Sequence, residues 1–299
     1  MITINEYLDH VLDDFKEYLT AAPQLCCLKT LRFDTKQLPD YNDIHVQQLY
    51  LLRYAYAYAF EYKCMYMQLF GENAFENDHI QVASLGCGTG IDYWSMVAAL
   101  NDLKKNQKSI KYVGIDQIDW NYKLTPREQD DMRIYKGDVM DELVKAPRLT
   151  SDIYIFPKSI SEFSGNDIVN MCNTIESKPI KNNTVYLLAS LRHNDGNLES
   201  DKEKMSKLFK AFNSNGFDCE SNPKSSTSFK DECKKKKITE LDGSFQHPFK
   251  TVECLLHLNE RCKKFDGDNC KADCSEQLNR WPVLNCGILH WQIFKFERR

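Results

Sequence analysis

The sequence lacks any run of about 18 apolar residues, which is the length that a membrane-spanning helix needs. Its opening stretch, MITINEYLDHVLDDF, also lacks the basic start and apolar core of a secretory leader. We therefore expect no membrane segment, a cytoplasmic location, and 12 cysteines that are mostly reduced thiols. A net charge of −4 provides no overall attraction to nucleic acid.

Several common ligand-site motifs are absent as well. No G-K-[ST] follows the glycine-rich stretch, which excludes a Walker phosphate loop, and no G-x-S-x-G nucleophile elbow occurs. The last glycine of the dinucleotide motif G-x-G-x-x-G is replaced by Ile91, which disfavours a nicotinamide or flavin site. The glycines that are present therefore indicate a different ligand.

Those glycines lie in residues 81–96, QVASLGCGTGIDYWSM, where a short apolar run meets a helical pattern. The pattern predicts a buried strand, a tight turn and the first turn of a helix. Glycine permits positive φ and close approach of a ligand, and the helix N-terminus offers unpaired N–H groups. The ligand-binding residues predicted in this turn are Gly86, Cys87, Gly88, Thr89 and Gly90. We interpret Cys87 as a small turn residue rather than a nucleophile.

From residue 81 onward, apolar runs alternate with helical patterns. This alternation predicts an α/β fold, in which a Rossmann-like, mostly parallel sheet has helices on both faces. The alternating C-terminal stretch ILHWQIFKFER predicts an antiparallel last strand. The strands are predicted at 81–86, 110–115, 132–136, 152–156 and 184–189, the helices at 91–105, 139–145, 164–175 and 200–214, and a helix or loop at 124–130.

The N-terminal part is predicted to be helical, over residues 3–20 and 44–70. The second of these helices is apolar almost all round and rich in tyrosine, which favours a largely buried helix. The alternative is that some of its polar side chains line the mouth of a ligand site, namely Arg53, Tyr54, Tyr58 and Glu61. We therefore expect a helical cap over 1–75 and a main domain over 76–299, with a polar, cysteine-rich insertion at about 220–287.

Polar residues at the ends of the next strands would complete a ligand site, because ligands bind at the carboxyl ends of parallel strands. Asp116, with Gln117 beside it, ends the second strand and could accept both hydroxyls of a ribose. Asp138 and Val139 follow the third strand, where the carboxylate could contact an adenine amino group or cap the next helix. Pro157 and Lys158 would stand where the reactive end of the ligand points.

These segments together resemble class I S-adenosylmethionine-dependent methyltransferases. The resemblance covers roughly residues 80–195 and rests on SLGCGTG, VGIDQ, KGDVMD and DIYIFPKS. It implies a seven-stranded sheet with a late antiparallel hairpin, S-adenosyl-L-methionine as cofactor, and methyl transfer from its sulfonium. One departure is Ser84, where the family usually carries an acid, and Asp92 is the residue that could compensate.

The methyl acceptor is predicted to be a small molecule. The N/D-P-P-Y signature of base amino-group methylation is missing, and no cysteine motif for pyrimidine C5 methylation is present. Lys158 and Glu162 are the candidate polar groups on the acceptor side. One alternative is an RNA acceptor, and a second is a non-catalytic S-adenosylmethionine-binding module. The sequence leaves the oligomeric state open.

Cysteines also cluster near the C-terminus, as Cys262, Cys270, Cys274 and Cys286. Only Cys270 and Cys274 have the close spacing of zinc ligands, so reduced thiols are favoured over zinc or an iron–sulfur cluster, and no metal site is assigned. With KSISEF, these cysteines show a remote similarity to methyltransferase-like proteins of mitochondrial ribosome assembly. The run Lys234–Lys237 is interpreted as a solvated face rather than a phosphate-binding patch.

Overall fold

A computed structural model of the chain describes residues 4–21, 40–71, 78–192, 195–228 and 290–299. The clustered C-terminal cysteines and the lysine run lie outside the described residues, so the predictions for them remain predictions. Within the described ranges, none of the helices is both long and apolar enough to cross a membrane.

The order of helices and strands follows the predicted alternation closely. The helix 139–145 has its predicted bounds, and the segment 124–130, predicted as a helix or loop, is a loop. The helices are α1 (Ile4–Ala21), α2 (Ile44–Gly71), α3 (Ile91–Asp102), α4 (Val139–Lys145), α5 (Gly165–Ser177) and α6 (Asp195–Ser214). The strands are β1 (His79–Leu85), β2 (Ser109–Asp116), β3 (Asp131–Lys136), β4 (Ile153–Pro157), β5 (Thr184–Leu191), β6 (Phe217–Asp218), β7 (Thr227–Ser228) and β8 (His290–Arg298).

The chain divides into two compact units. Among the described residues, the first unit contains 4–21, 40–60 and 119–125, and the second contains all the others. The helix α2 therefore begins in the first unit and ends in the second. The division of the chain into a cap over 1–75 and a main domain over 76–299 stays a prediction.

The first unit is held together by a partly buried polar network and by aromatic packing. The Tyr122 hydroxyl donates to Asp14 Oδ2 (2.8 Å) and accepts from Gln48 Nε2 (2.6 Å). Tyr54 stacks on Tyr58 with ring centroids 5.4 Å apart. Most α2 side chains are buried, as the apolar sequence of this helix predicts.

The second unit is built on one eight-stranded sheet in the order β3-β2-β1-β4-β5-β8-β6, with β7 paired to β8. Strands β1 to β5 run parallel, whereas β8 is antiparallel to both β5 and β6. The Rossmann-like sheet with a late antiparallel hairpin is therefore confirmed. The two-residue strand β7 is an addition that the sequence did not predict.

The strand order reverses between β1 and β4, which are neighbours at the centre of the sheet. In open α/β sheets the crevice for a ligand lies at this reversal, outside the carboxyl ends of the strands. All five residues of β4 are buried, because helices cover both faces of a central parallel strand. The fold therefore positions the ends of β1, β2 and β4 around one crevice.

The loop before β3 is fixed by a buried aspartate. Asp130 has no exposed side-chain surface and pairs with Arg127 Nε at 2.7 Å. Its carboxylate also accepts from the Tyr93 hydroxyl (2.5 Å) and from the Ile110 backbone N–H (2.8 Å). These bonds join the loop to both α3 and β2.

Candidate cofactor site

The turn between β1 and α3 has the backbone that its glycines predict. Gly86, Gly88 and Gly90 have φ values of 74°, 56° and 87°, all in the left-handed region that disfavours other L residues. Gly90 is also the N-cap residue of α3, so the unpaired N–H groups of the helix begin directly after the turn.

The glycine turn also packs closely against side chains that follow β4 and lie in β3. A Cβ added at Gly86 would lie 2.5 Å from Ser159 Cβ, and one at Gly90 would lie 2.5 Å from Met132 Cε. The Ser159 hydroxyl donates to the Leu85 carbonyl. The end of β4 is therefore tied directly to the end of β1.

Asp116, at the end of β2, reaches into the glycine turn. Its Oδ2 accepts from the Gly88 backbone N–H at 2.8 Å, and its Oδ1 accepts from the Ile118 N–H at 2.9 Å. Carboxylate oxygens accept more than one hydrogen bond, so these contacts fix the side chain while leaving it able to accept hydroxyl groups. Asp116 and the turn are thus brought together as the sequence predicted.

Asp138 caps α4, which is one of the two roles that the sequence allowed. Its Oδ1 accepts from the Met140 N–H at 2.7 Å, and its Oδ2 accepts from Gln117 Nε2 at 3.0 Å. Val139 is buried directly behind it. The residues after β2 and β3 therefore share one hydrogen-bonded corner of the crevice.

Two side chains of the turn are enclosed. Burial, together with the charges of Asp116 and Asp92, raises the pKa of the Cys87 thiol well above its usual value. A thiol in that state is a poor nucleophile, which supports the interpretation of Cys87 as a turn residue. The Thr89 hydroxyl is buried and, among the described residues, its Oγ1 has no hydrogen-bond partner.

Ser84 and Asp92 lie together beneath the turn. Both are fully buried, and Asp92 Oδ1 accepts from the Tyr112 hydroxyl at 2.8 Å. Burial raises the pKa of Asp92 to about 6, while the Tyr112 and Ser84 hydroxyls lower it in part. A carboxylate therefore lies beside Ser84, but Asp92 has no exposed surface with which to touch a ligand.

The residues after β4 form a second polar group. Lys158 has a φ of 63°, and its Nζ lies 2.5 Å from Glu61 Oε2 and 3.0 Å from the Leu191 carbonyl. Burial raises the pKa of Glu61, while the Lys158 ammonium and the Ser190 hydroxyl lower it in part. Pro157 is buried immediately before this pair.

Further charged residues continue along the same edge of the sheet. Arg192 pairs with Glu162 at 2.9 Å. The charges of Arg192 and Lys158 also act on the buried Asp201 of α6. Sequence reasoning missed Ser190, Arg192 and Asp201 as neighbours of this site. The first two follow the apolar run of β5, and their position at a strand end is the signal that could have identified them.

The fold that the resemblance to class I methyltransferases implies is therefore present, with the glycine turn and the strand-end carboxylates at its central crevice. Within the described ranges, no cluster of His, Cys, Asp or Glu could hold a metal ion. No protein-family model and no curated protein matches the sequence.

The structure is similar to solved methyltransferase structures at low sequence identity. The plantazolicin methyltransferase in complex with SAH aligns with a TM-score of 0.42 and 11% identity, over 95% of this chain and 99% of that one. A SAM-dependent methyltransferase from Archaeoglobus fulgidus aligns with a TM-score of 0.40 and 11% identity, over 79% and 94%. Loganic acid methyltransferase with SAH aligns with a TM-score of 0.39 and 10% identity, over 88% and 98%.

Proposed function

We propose that the protein is a methyltransferase that binds S-adenosyl-L-methionine in this crevice and transfers its methyl group to a small-molecule acceptor. The contact that carries the proposal is the bond between the Gly88 N–H and Asp116 Oδ2. It holds a carboxylate at a strand end beside a turn that admits a ligand to its backbone. That arrangement suits a ribose whose attached chain runs along the turn.

The chemistry of the other residues fits the rest of the cofactor. Asp138 and the backbone of Val139 would face the adenine, with Gln117 holding the Asp138 carboxylate in place. The enclosed Thr89 hydroxyl and the turn residues Gly86, Cys87, Gly88 and Gly90 would surround the methionine portion. Pro157 and Lys158 would stand at the reactive end.

When bound, the cofactor supplies an activated methyl group on a sulfonium. The chain then has to hold acceptor and methyl carbon in line, and positioning of this kind can supply about 7–11 kcal/mol of the barrier reduction. The glycine turn and β4 are suited to this task because the Ser159 hydroxyl joins them rigidly at Leu85. A cytoplasmic location is part of the proposal, and it is supported by the free thiols Cys64, Cys87, Cys172 and Cys219.

Isothermal titration calorimetry with S-adenosylmethionine and S-adenosylhomocysteine tests the proposal. We expect the wild type to bind both and Asp116→Ala to bind at least about tenfold more weakly, because hydrogen bonds to a charged group contribute about 1.5–3 kcal/mol. Asp131→Ala is the matched control, since Asp131 is exposed at the opposite end of the neighbouring strand.

Wild type and Asp116→Ala together distinguish the cofactor assignment from the role of Asp116. A wild type that binds neither compound would refute the cofactor assignment. Equal affinity of wild type and Asp116→Ala would refute the role of Asp116 alone. Unchanged circular dichroism of both variants shows that the fold is retained.

A further inference from the structure

We propose that Glu61 is the base that accepts the proton from the methyl acceptor, and that the acceptor therefore carries a hydroxyl or an amine as its nucleophile. This inference rests on the proposed function, because it assigns the acceptor side of the same crevice. The carboxylate of Glu61 comes from α2, far along the chain from the sequence motifs that define the cofactor side.

The first observation is the buried ion pair. The side chains of Glu61 and Lys158 are only 11% and 13% exposed, with Oε2 and Nζ 2.5 Å apart. Removing two charges from water costs several kcal/mol per ion, and well-packed apolar residues are often as stable in such a place. A buried pair is therefore weak evidence for stability, and the position of this pair in the fold has to be considered as well.

The second observation is where the pair lies. Lys158 follows β4 directly, and the next residue, Ser159, donates to Leu85 at the edge of the glycine turn. The pair is thus at the reversal of the strand order, on the side of the turn away from Asp116 and β2. A ligand with its ribose at Asp116 would point its other end in this direction.

The third observation is backbone strain at Lys158. Its φ of 63° lies in the left-handed region, which costs a lysine about 1–2 kcal/mol. Such strain persists where the surrounding structure holds the residue, and it is concentrated at functional sites. Here it turns the lysine so that Nζ reaches both Glu61 and the Leu191 carbonyl.

Groups from several elements face the pair. Ser190 of β5 lowers the pKa of Glu61, as does Lys158, against the larger effect of burial. The Asp201 carboxylate of α6 interacts with Lys158 and with Arg192. Lys158 also donates to the Leu191 carbonyl, so it keeps a hydrogen-bond partner when Glu61 takes up a proton.

The proposed step is a direct transfer of the methyl group to the acceptor, with Glu61 taking up the acceptor proton. The lone pair of the acceptor oxygen or nitrogen attacks the methyl carbon, forming the new C–O or C–N bond. The C–S bond breaks, and its electrons remain on sulfur as S-adenosylhomocysteine. The acceptor proton passes to the Glu61 carboxylate and from there to solvent.

The test needs no known acceptor. Sinefungin is an S-adenosylmethionine analogue in which a carbon bearing an amino group replaces the methylated sulfur, so its ammonium lies where the methyl group would be. S-adenosylhomocysteine has no group there and serves as the reference ligand. We expect Glu61→Gln to reduce the preference for sinefungin over S-adenosylhomocysteine about tenfold in calorimetry, which is the loss of one charged hydrogen bond.

A second variant should change the preference for sinefungin over S-adenosylhomocysteine in the opposite direction. Lys158→Met removes the cation that competes for Glu61, so we expect the preference for sinefungin to rise. This variant keeps the inference testable if Glu61→Gln does not fold. An unchanged or reduced preference in Lys158→Met would overturn the assignment, as would an unchanged preference in Glu61→Gln.

The chain offers a matched control in Asp102→Asn. Asp102 of α3 pairs at 2.5 Å with Lys63 of α2, the helix that also carries Glu61, and the pair is similarly buried, at 15% and 7% exposed. It lies at the last residue of α3, at the other end of that helix from the glycine turn. We expect its loss to leave the ligand preference unchanged. Wild type that binds neither ligand would refute the proposed function itself.

Discussion

The buried carboxylate beneath the glycine turn makes the stability of the protein depend on pH in a predictable way. Asp92 is fully buried, and its pKa rises from the usual 3.8 to about 6 in the folded chain. Well below pH 3.8 the group is neutral in both folded and unfolded states, and well above pH 6 it is ionised in both. The protein therefore loses stability as the pH rises through this window.

The size of the change in the free energy of unfolding follows from the pKa shift of Asp92. Each pKa unit corresponds to 1.36 kcal/mol, so the shift from 3.8 to about 6 amounts to about 3 kcal/mol. In Asp92→Asn the side chain no longer titrates, while its oxygen can still accept from the Tyr112 hydroxyl. At pH 4 the unfolded group is already partly ionised, so we expect the stability of Asp92→Asn relative to wild type to be about 2 kcal/mol greater at pH 7 than at pH 4.

Urea unfolding of both proteins at several pH values between 4 and 7 measures this difference. Comparing the two at each pH cancels the titration of all groups that they share. Asp131→Asn, which changes an exposed aspartate of β3, is the control and should show no comparable trend. A difference between Asp92→Asn and wild type that does not vary with pH would refute the reasoning.

Two further substitutions test the turn and the loop before β3. Gly86→Ala should lower the thermal midpoint and abolish S-adenosylhomocysteine binding, since φ is 74° and the new Cβ would lie 2.5 Å from Ser159 Cβ. Normal binding by this variant in calorimetry would contradict the assignment of the turn. Asp130→Ala should cost about 3–5 kcal/mol in urea unfolding, because it removes the buried acceptor shared by Arg127, the Tyr93 hydroxyl and the Ile110 N–H. The neighbouring exposed Asp131→Ala should change stability by less than about 0.5 kcal/mol.

The parts of the fold that the sequence predicted well are those with strong local signals. Apolar runs define β1 and β4, and an aspartate that can cap a helix stands directly before α4. Asp138 does cap that helix, which explains why the predicted and observed bounds agree. The strand β7 contains only two residues, too few for any periodicity to reveal it.

The acceptor side of the site depends on contacts between distant parts of the chain. Strands β1 to β4 lie between Glu61 and Lys158 in the sequence, and no sequence motif contains both residues. The same is true of Asp92 and Tyr112, which meet only because α3 packs on β2. Pairings of this kind come from tertiary packing, so a single sequence could suggest the residues but not their partners.

The position of β8 in the sheet has a consequence for how the protein folds. This strand lies between β5 and β6, yet almost one hundred residues separate it from β5 along the chain. We expect a pairing between segments so far apart in the sequence to form late, because bringing them together costs chain entropy. Until it does, β5 presents a bare edge that can pair with other chains. We therefore expect the partly folded protein to be prone to aggregation until β8 covers that edge of β5.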